Sequence, residues 1–269
     1  PQKIKSQNNI EIVITTTSFT DVIKQVKKIN ENISIKVSNY LKDLIHIEFM
    51  QNLKKTFLVS SGLPSNNKEK FGGGLYKVEL NGLKWNLKKV YSGTVHGVIK
   101  IHNGYAISDS THGVILLDKK FKIKKKGKYP INTRAHGIAF DDKNKKFYVA
   151  CSNTDKIKIF NNNLKLLDTI SISDKYDKYR SPQHHINDLC ILDQKLYVSM
   201  FSLTGNFKRG LYDGGVFEID ISNKKNTNKL YGDLTMPHSI KSFDGQITLL
   251  DSLKGELLIG KESLVTFSG

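Results

Sequence analysis

One unit of strand, turn and strand recurs along this chain, and a repeat at that spacing restricts the fold more than any local propensity does. Short apolar strands, each opened by a polar residue, begin successive units: His46-Ile47-Glu48-Phe49, His96-Gly97-Val98-Ile99, His136-Gly137-Ile138-Ala139-Phe140, Asn187-Asp188-Leu189-Cys190-Ile191 and His238-Ser239-Ile240. A turn follows each, at Gln51-Asn52, His102-Asn103-Gly104, Asp141-Asp142, Asp193-Gln194 and Asp244-Gly245, where the Asn-Gly and Asp-Gly pairs are strong hairpin signals. Second strands come next, as in Phe57-Leu58-Val59-Ser60 and Leu196-Tyr197-Val198-Ser199, then third strands such as Gly113-Val114-Ile115-Leu116 and Gly215-Val216-Phe217-Glu218-Ile219. Most units end in a polar-alternating stretch, for example Trp85 to Val90 or Leu164 to Ile170. Unit starts at 46, 96, 136, 187 and 238 match the spacing of four-stranded blades.

The expected fold class is therefore all-β, a β-propeller over residues 41–269 with five visible blades. A six-bladed ring is the expected whole, its sixth blade lying beyond Gly269. Residues 1–40 differ: Ile12-Val13-Ile14 is a short apolar run, Val22, Ile23, Val26 and Ile29 recur at helical spacing, and Ile33 to Val37 alternates. That β-α-β segment reads as the remnant of an α/β domain or as an N-terminal decoration of the propeller, and both readings stand. The chain opens on Pro1 and stops at Gly269 in mid-pattern, so a piece of a longer protein is expected.

A formal net charge of +17 over 269 residues invites a nucleic-acid reading, yet Arg134, Arg180 and Arg209 are the only arginines among 42 basic residues. Base and phosphate recognition favours the planar guanidinium, and the densest run, Lys119 to Lys128, alternates as a solvated strand face; nucleic acid is not an expected partner. No apolar run reaches membrane-spanning length, so no membrane association is expected. Cys151 and Cys190 each lie in an apolar stretch and read as buried free thiols, which fits a reducing, cytoplasmic location.

In a four-stranded blade the innermost strand lines the central channel, and the connection into it shares a face with the loop between second and third strands. His96, His136, His185 or Asn187, and His238 should therefore ring one mouth of the channel. The insertions Ser61 to Gly73 and Met200 to Gly214, and the loop Ser173 to His184, open on the same face. Arg134 precedes His136 by two residues, Arg180 lies in the loop before His185 and Arg209 in the second insertion, and guanidinium in a chain that otherwise uses Lys points to a carboxylate, phosphate or sulfate ligand. Asp188 is a nearby carboxylate. His96, His136 and His238, three imidazoles facing one axis, are candidate ligands for zinc or another divalent metal. Each histidine also has a plain structural role open to it, a hydrogen bond to the next blade.

Met236-Pro237-His238-Ser239, with Asp244-Gly245, Asp251-Ser252 and Gly255-Glu256-Leu257 after it, resembles a bacterial family of propeller-like proteins of unknown function. His185-Ile186-Asn187-Asp188-Leu189 and the Gly214-Gly215-Val216 strand are similar to the same family. The resemblance implies a fold and no activity. More distantly, the chain resembles six-bladed lactonases of the gluconolactonase type, whose calcium is held by Glu, Asn and Asp, and peptide-amidating lyases, whose zinc is held by three channel histidines beside an arginine. His96, His136 and His238 with Arg134 are similar in type to the second arrangement. Two functions remain open on these residues: a propeller binding a small anionic molecule or acidic peptide at the channel mouth, through Arg134, Arg180, Arg209, His185, Asn187 and Asp188, with no cofactor; or a metal-dependent lyase or hydrolase using the histidine cluster.

Overall fold

A computed structural model of the chain describes residues 14–16, 54–63, 72–82, 84–127, 133–224, 226–260 and 262–266. The first-unit strand His46 to Phe49, the helix at 22–29, the strand at 33–37 and most of the insertion after Ser61 lie outside them.

Among the described residues twenty strands form five sheets of four. The first holds β1 (Ile14–Thr16), β2 (Lys54–Ser61), β3 (Gly74–Asn81) and β4 (Lys84–Ser92), and the second β5 (Val95–Ile101), β6 (Gly104–Asp109), β7 (Gly113–Asp118) and β8 (Ile123–Lys126). The third runs β9 (Ala135–Asp141), β10 (Lys146–Cys151), β11 (Lys156–Asn161) and β12 (Leu166–Ser171). The fourth is β13 (Ile186–Leu192), β14 (Lys195–Met200), β15 (Gly214–Asp220) and β16 (Asn226–Leu234), and the fifth β17 (Pro237–Phe243), β18 (Gln246–Asp251), β19 (Glu256–Ile259) and β20 (Glu262–Thr266). Sheets two to five are antiparallel meanders in sequence order, as the repeat requires. The fold is a β-propeller.

The first sheet departs from that pattern. β1 pairs with β2 in parallel, Ile14 opposite Val59 and Thr16 opposite Ser61, so a strand from the N-terminal segment occupies the innermost place. A hairpin cannot join parallel strands, so the connection from β1 to β2 is not the tight turn expected at the start of a unit. β1 lies against β5 on one side and β17 on the other, so the inner strands of the first and fifth sheets touch. Five blades are present among the described residues, and no sixth.

The core lies between blades. Leu58, Leu75 and Tyr91 of the first pack on Val95, Val98, Ile107 and Ile115 of the second, and Ala106 and Val114 of the second on Ile138, Phe147, Val149 and Phe160 of the third. Tyr148, Ile157 and Ile170 meet Ile186, Leu189, Val198 and Met200 across the third interface, and Cys190, Tyr197 and Val216 meet Ile240, Ile247 and Leu249 across the fourth. The inner and middle strands of the third and fourth sheets are largely buried and read as near-continuous apolar runs. β8, Ile-Lys-Lys-Lys, is an outer strand whose lysines discourage a further strand from adding to its edge.

Glycines set the spacing at the axis. A Cβ on Gly97 would sit 2.9 Å from the His136 carbonyl oxygen, and one on Gly137 would sit 2.4 Å from the Asp188 Cα, so each glycine lets the next inner strand approach. At the Asp244-Gly245 turn both residues have positive φ, 49° and 72°, the hairpin geometry that pair favours.

Candidate functional site

The residue immediately before three of the inner strands is left-handed and is not glycine: Arg134 (φ 45°) before β9, His185 (φ 52°) before β13 and Met236 (φ 58°) before β17. An L-residue enters that region at a cost of about 1–2 kcal/mol, so its recurrence at equivalent positions needs the surrounding structure to enforce it. Buried carboxylates do part of this. Asp155 accepts hydrogen bonds from the backbone N–H groups of Gln183, His184 (2.8 Å) and His185 (2.8 Å), three successive donors of the loop leading into β13. Asp109 accepts from the Thr94 N–H at 3.1 Å before β5, and Asp251 from the Thr235 N–H at 2.7 Å before β17. Loop carbonyls then bond the ends of the second strands, as in Ser152 N–H to Arg134 C=O at 3.1 Å.

Two residues after each left-handed position comes the first channel side chain, at His136, Asn187 and His238, with His96 equivalent in the second blade. His96 and His136 stack with ring centroids 4.3 Å apart and planes 23° from parallel. Gly62 makes room for the His96 ring, because a Cβ there would lie 2.1 Å from His96 Cε1. His238 Nδ1 lies 2.8 Å from both the Met236 carbonyl oxygen and Ser252 Oγ. His185 stacks on Phe201 at 4.5 Å and tilts against Phe207 at 4.5 Å, while Phe201 meets His238 edge-on at 5.1 Å.

Electrostatics join these groups into one neighbourhood. Burial pushes the His96 imidazole down to about 3, and repulsion from Arg134, His185 and His238 adds to it. His185 is likewise lowered to about 3, by burial and then by Arg134, His238 and Lys208. His136 falls well below its ordinary value through burial, His96, His238, His185 and Arg134. For His238 burial also lowers the value, opposed by the Met236 carbonyl and Asp188. Four imidazoles are thus held neutral around a guanidinium that makes no ion pair among the described residues. Two buried polar atoms here have no hydrogen-bond partner among the described residues: Nε2 of His96, 5% exposed, and Oδ1 of Asn187, 0% exposed, whose Nδ2 donates to the Pro237 carbonyl oxygen at 3.3 Å.

The structure gathers His96, His136, His185, His238 and Arg134. Asn187 stands at the channel position equivalent to His136. Asp188, one residue along, is 5% exposed and reaches Lys241 Nζ at 3.6 Å and the Leu189 N–H at 2.9 Å. Arg180 and Arg209 are exposed: Arg180 caps the C-terminus of α1 (Lys175–Tyr179) with φ 53°, and Arg209 ends a short 3₁₀ turn, Phe207–Arg209. Neither is among the charges that act most on the histidines. Among the described residues no three His, Cys, Asp or Glu side chains are grouped so as to hold a metal ion. Phe201, Phe207 and Lys208 join the site without having been anticipated, all from the insertion after β14.

At the opposite end of the inner strands a cavity of about 590 Å³ is lined by Ile99, Ile101, Ile138, Phe140, Leu189 and Ile191, with Lys100, His102, Asp142 and Lys241 also on its wall. Cys151 and Cys190 are buried free thiols, both pushed up to about 12 by burial.

No protein-family model matches the chain, and no curated protein matches it. Solved structures do. A chain of the nidogen/laminin complex shares 10% identity over 80% of this chain and 94% of its own, with a TM-score of 0.50, which supports the fold alone. Streptogramin B lyase aligns over 76% of this chain and 69% of its own at 14% identity and TM-score 0.43, and a putative gluconolactonase over 61% and 58% at 12% and 0.46. Among the described residues no helix is long and apolar enough to cross a membrane.

Proposed function

We propose that the channel mouth binds a small anionic group, carried by a carboxylated or phosphorylated sugar or by an acidic peptide. The observation that carries this reading is Arg134, half-buried and without an ion-pair partner among the described residues, whose charge adds to burial in keeping His96 and His185 neutral. An incoming carboxylate would supply the missing counter-charge. The neutral histidines offer donors or acceptors according to tautomer, and Asn187 Oδ1 and His96 Nε2 await partners. Arg180 and Arg209, exposed on the same face, would act by steering rather than by contact.

A thermal-shift screen of anionic sugars and organic acids tests this. A ligand that raises the midpoint of the parent protein should do so far less for Arg134→Lys and His136→Ala, since a bidentate charge-assisted contact contributes on the order of 1.5–3 kcal/mol, roughly tenfold or more in affinity. Equal shifts in all three proteins would contradict the reading.

A metal-dependent lyase or hydrolase is the second reading: neutral imidazole is the form that binds a metal, but the described histidines are not grouped as three ligands, which makes this the weaker reading. Stoichiometric zinc in purified protein, lost in His136→Ala, would support it; absence of tightly bound metal after growth in zinc would remove it.

A further inference from the structure

The rim of the mouth carries a feature that binding of a bare anion does not explain. Nine large apolar side chains are exposed among the described residues. Trp85, Ile123, Leu166 and Leu167 belong to the outer strands β4, β8 and β12, and Phe243 ends β17 at the opposite face. The other four lie on segments that open on the mouth: Tyr179 in α1 (49% exposed), Leu211 (48%) and Tyr212 (42%) in the insertion after β14, and Leu253 (64%) in the turn between β18 and β19. Exposed turns are ordinarily polar, and the opposite-face turns Asn162-Asn163 and Asp193-Gln194 are.

From that rim an aromatic track descends to the site. Tyr212 meets Phe207 edge-on at 5.9 Å, Phe207 lies 4.5 Å from His185, and His185 stacks on Phe201, itself 5% exposed and 5.1 Å from His238. The segments that open on the mouth also carry Lys175, Lys178, Arg180, Lys208, Arg209 and Lys254, against Asp174, Asp177 and Asp213. Lysine is equally plentiful at the opposite face, for example Lys143 and Lys145, so positive charge alone selects neither face. The coincidence of exposed apolar side chains, the aromatic track and a guanidinium unpaired among the described residues does.

We propose that the mouth is the docking surface for an acidic peptide segment in which a carboxylate stands beside bulky apolar side chains. This rests on the anion-binding reading above: the carboxylate goes to Arg134, and an apolar side chain lies along Tyr212 and Phe207. Aromatic anchors surrounded by basic residues are the surface composition that recognises such a segment.

A phage-displayed library of seven-residue peptides, panned on the full chain, tests the proposal, with glutarate titrated separately as the carboxylate alone. Asp or Glu next to Phe, Tyr or Leu should be enriched in binders over the unselected library. A synthetic binder should lose about tenfold or more on Tyr212→Ser or Leu253→Ser and on Arg134→Lys, while Phe243→Ser at the far face changes nothing. Enrichment of acidic residues without apolar neighbours, or binders indifferent to Tyr212→Ser, would overturn the peptide while leaving the anion site intact, provided glutarate binding still depends on Arg134. Failure of both glutarate and peptides to depend on Arg134 would overturn both.

Discussion

His96 and His185 carry the sharpest electrostatic consequence of the fold. An unfolded chain binds protons on these residues near the ordinary value of 6.5, whereas the native protein resists until about 3. Their contribution is complete above pH 6.5 and is lost as pH falls toward 3, because the unfolded state takes up protons that the native state refuses. Each such histidine steepens the loss by up to about 1.4 kcal/mol per pH unit, so denaturant midpoints at pH 5.0 and 7.5 should differ clearly, and less so in His96→Gln. Equal midpoints in both buffers would show that these imidazoles titrate normally. Arg134 makes a second prediction at this scale, through its backbone. At φ 45°, Arg134→Gly should cost no fold stability, whereas Arg134→Val, β-branched and confined to L-geometry, should be less stable than the glycine variant by about 1–2 kcal/mol, read as a shift in urea midpoint. The polar residue opening each blade was legible in the sequence because it recurs. The left-handed residue before it was not, since Arg, His and Met share no side-chain signature for that conformation.

Among elements, the loop before β13 depends on one carboxylate. Asp155, 1% exposed, satisfies three successive backbone donors at Gln183, His184 and His185. Hydrogen bonds to a charged acceptor are worth roughly 1.5–3 kcal/mol each and do not add fully, so Asp155→Ala should destabilise by about 3 kcal/mol or more. It should also accelerate hydrogen exchange at residues 183–185 ahead of the β10 and β14 amides; uniform exchange changes would mean the loop is held otherwise. Nothing in the sequence marks Asp155, because its partners are main-chain groups of another blade, and backbone donors leave no residue pattern. The meander of the other four blades was readable from turn pairs and alternating strands. β1 was not, since parallel pairing across a long connection imposes neither a hairpin dipeptide nor a fixed spacing. The insertion after β14 was recognisable as a long loop, yet the aromatic wall of Phe201, Phe207 and Tyr212 arises from how it folds back on His185, held by Ser202 Oγ to Asp213 at 2.5 Å and Phe207 N–H to the Gln183 carbonyl oxygen at 2.9 Å.

For the whole molecule, the placement of the core between blades means that no described blade keeps its apolar layer without a neighbour. Unfolding should therefore be cooperative around the ring: fluorescence of the single tryptophan, Trp85 on β4, and far-ultraviolet circular dichroism should report coincident urea transitions. Positive charge is spread over the surface as lysine, so Lys122→Ser with Lys124→Ser should leave anion affinity unchanged within about twofold at physiological salt, where charges beyond roughly 8 Å are screened. The central claim is that Arg134 and the histidines at the mouth, rather than the cavity beside Lys100 and Lys241 at the other end, receive the anion. Long-range proton–nitrogen correlation spectra of the imidazoles during a glucuronate titration decide it. The account predicts saturable shifts at His96, His136 and His185 that weaken about tenfold in Arg134→Lys, with His102 unmoved; shifts confined to His102 and the residues around Lys241 would contradict it.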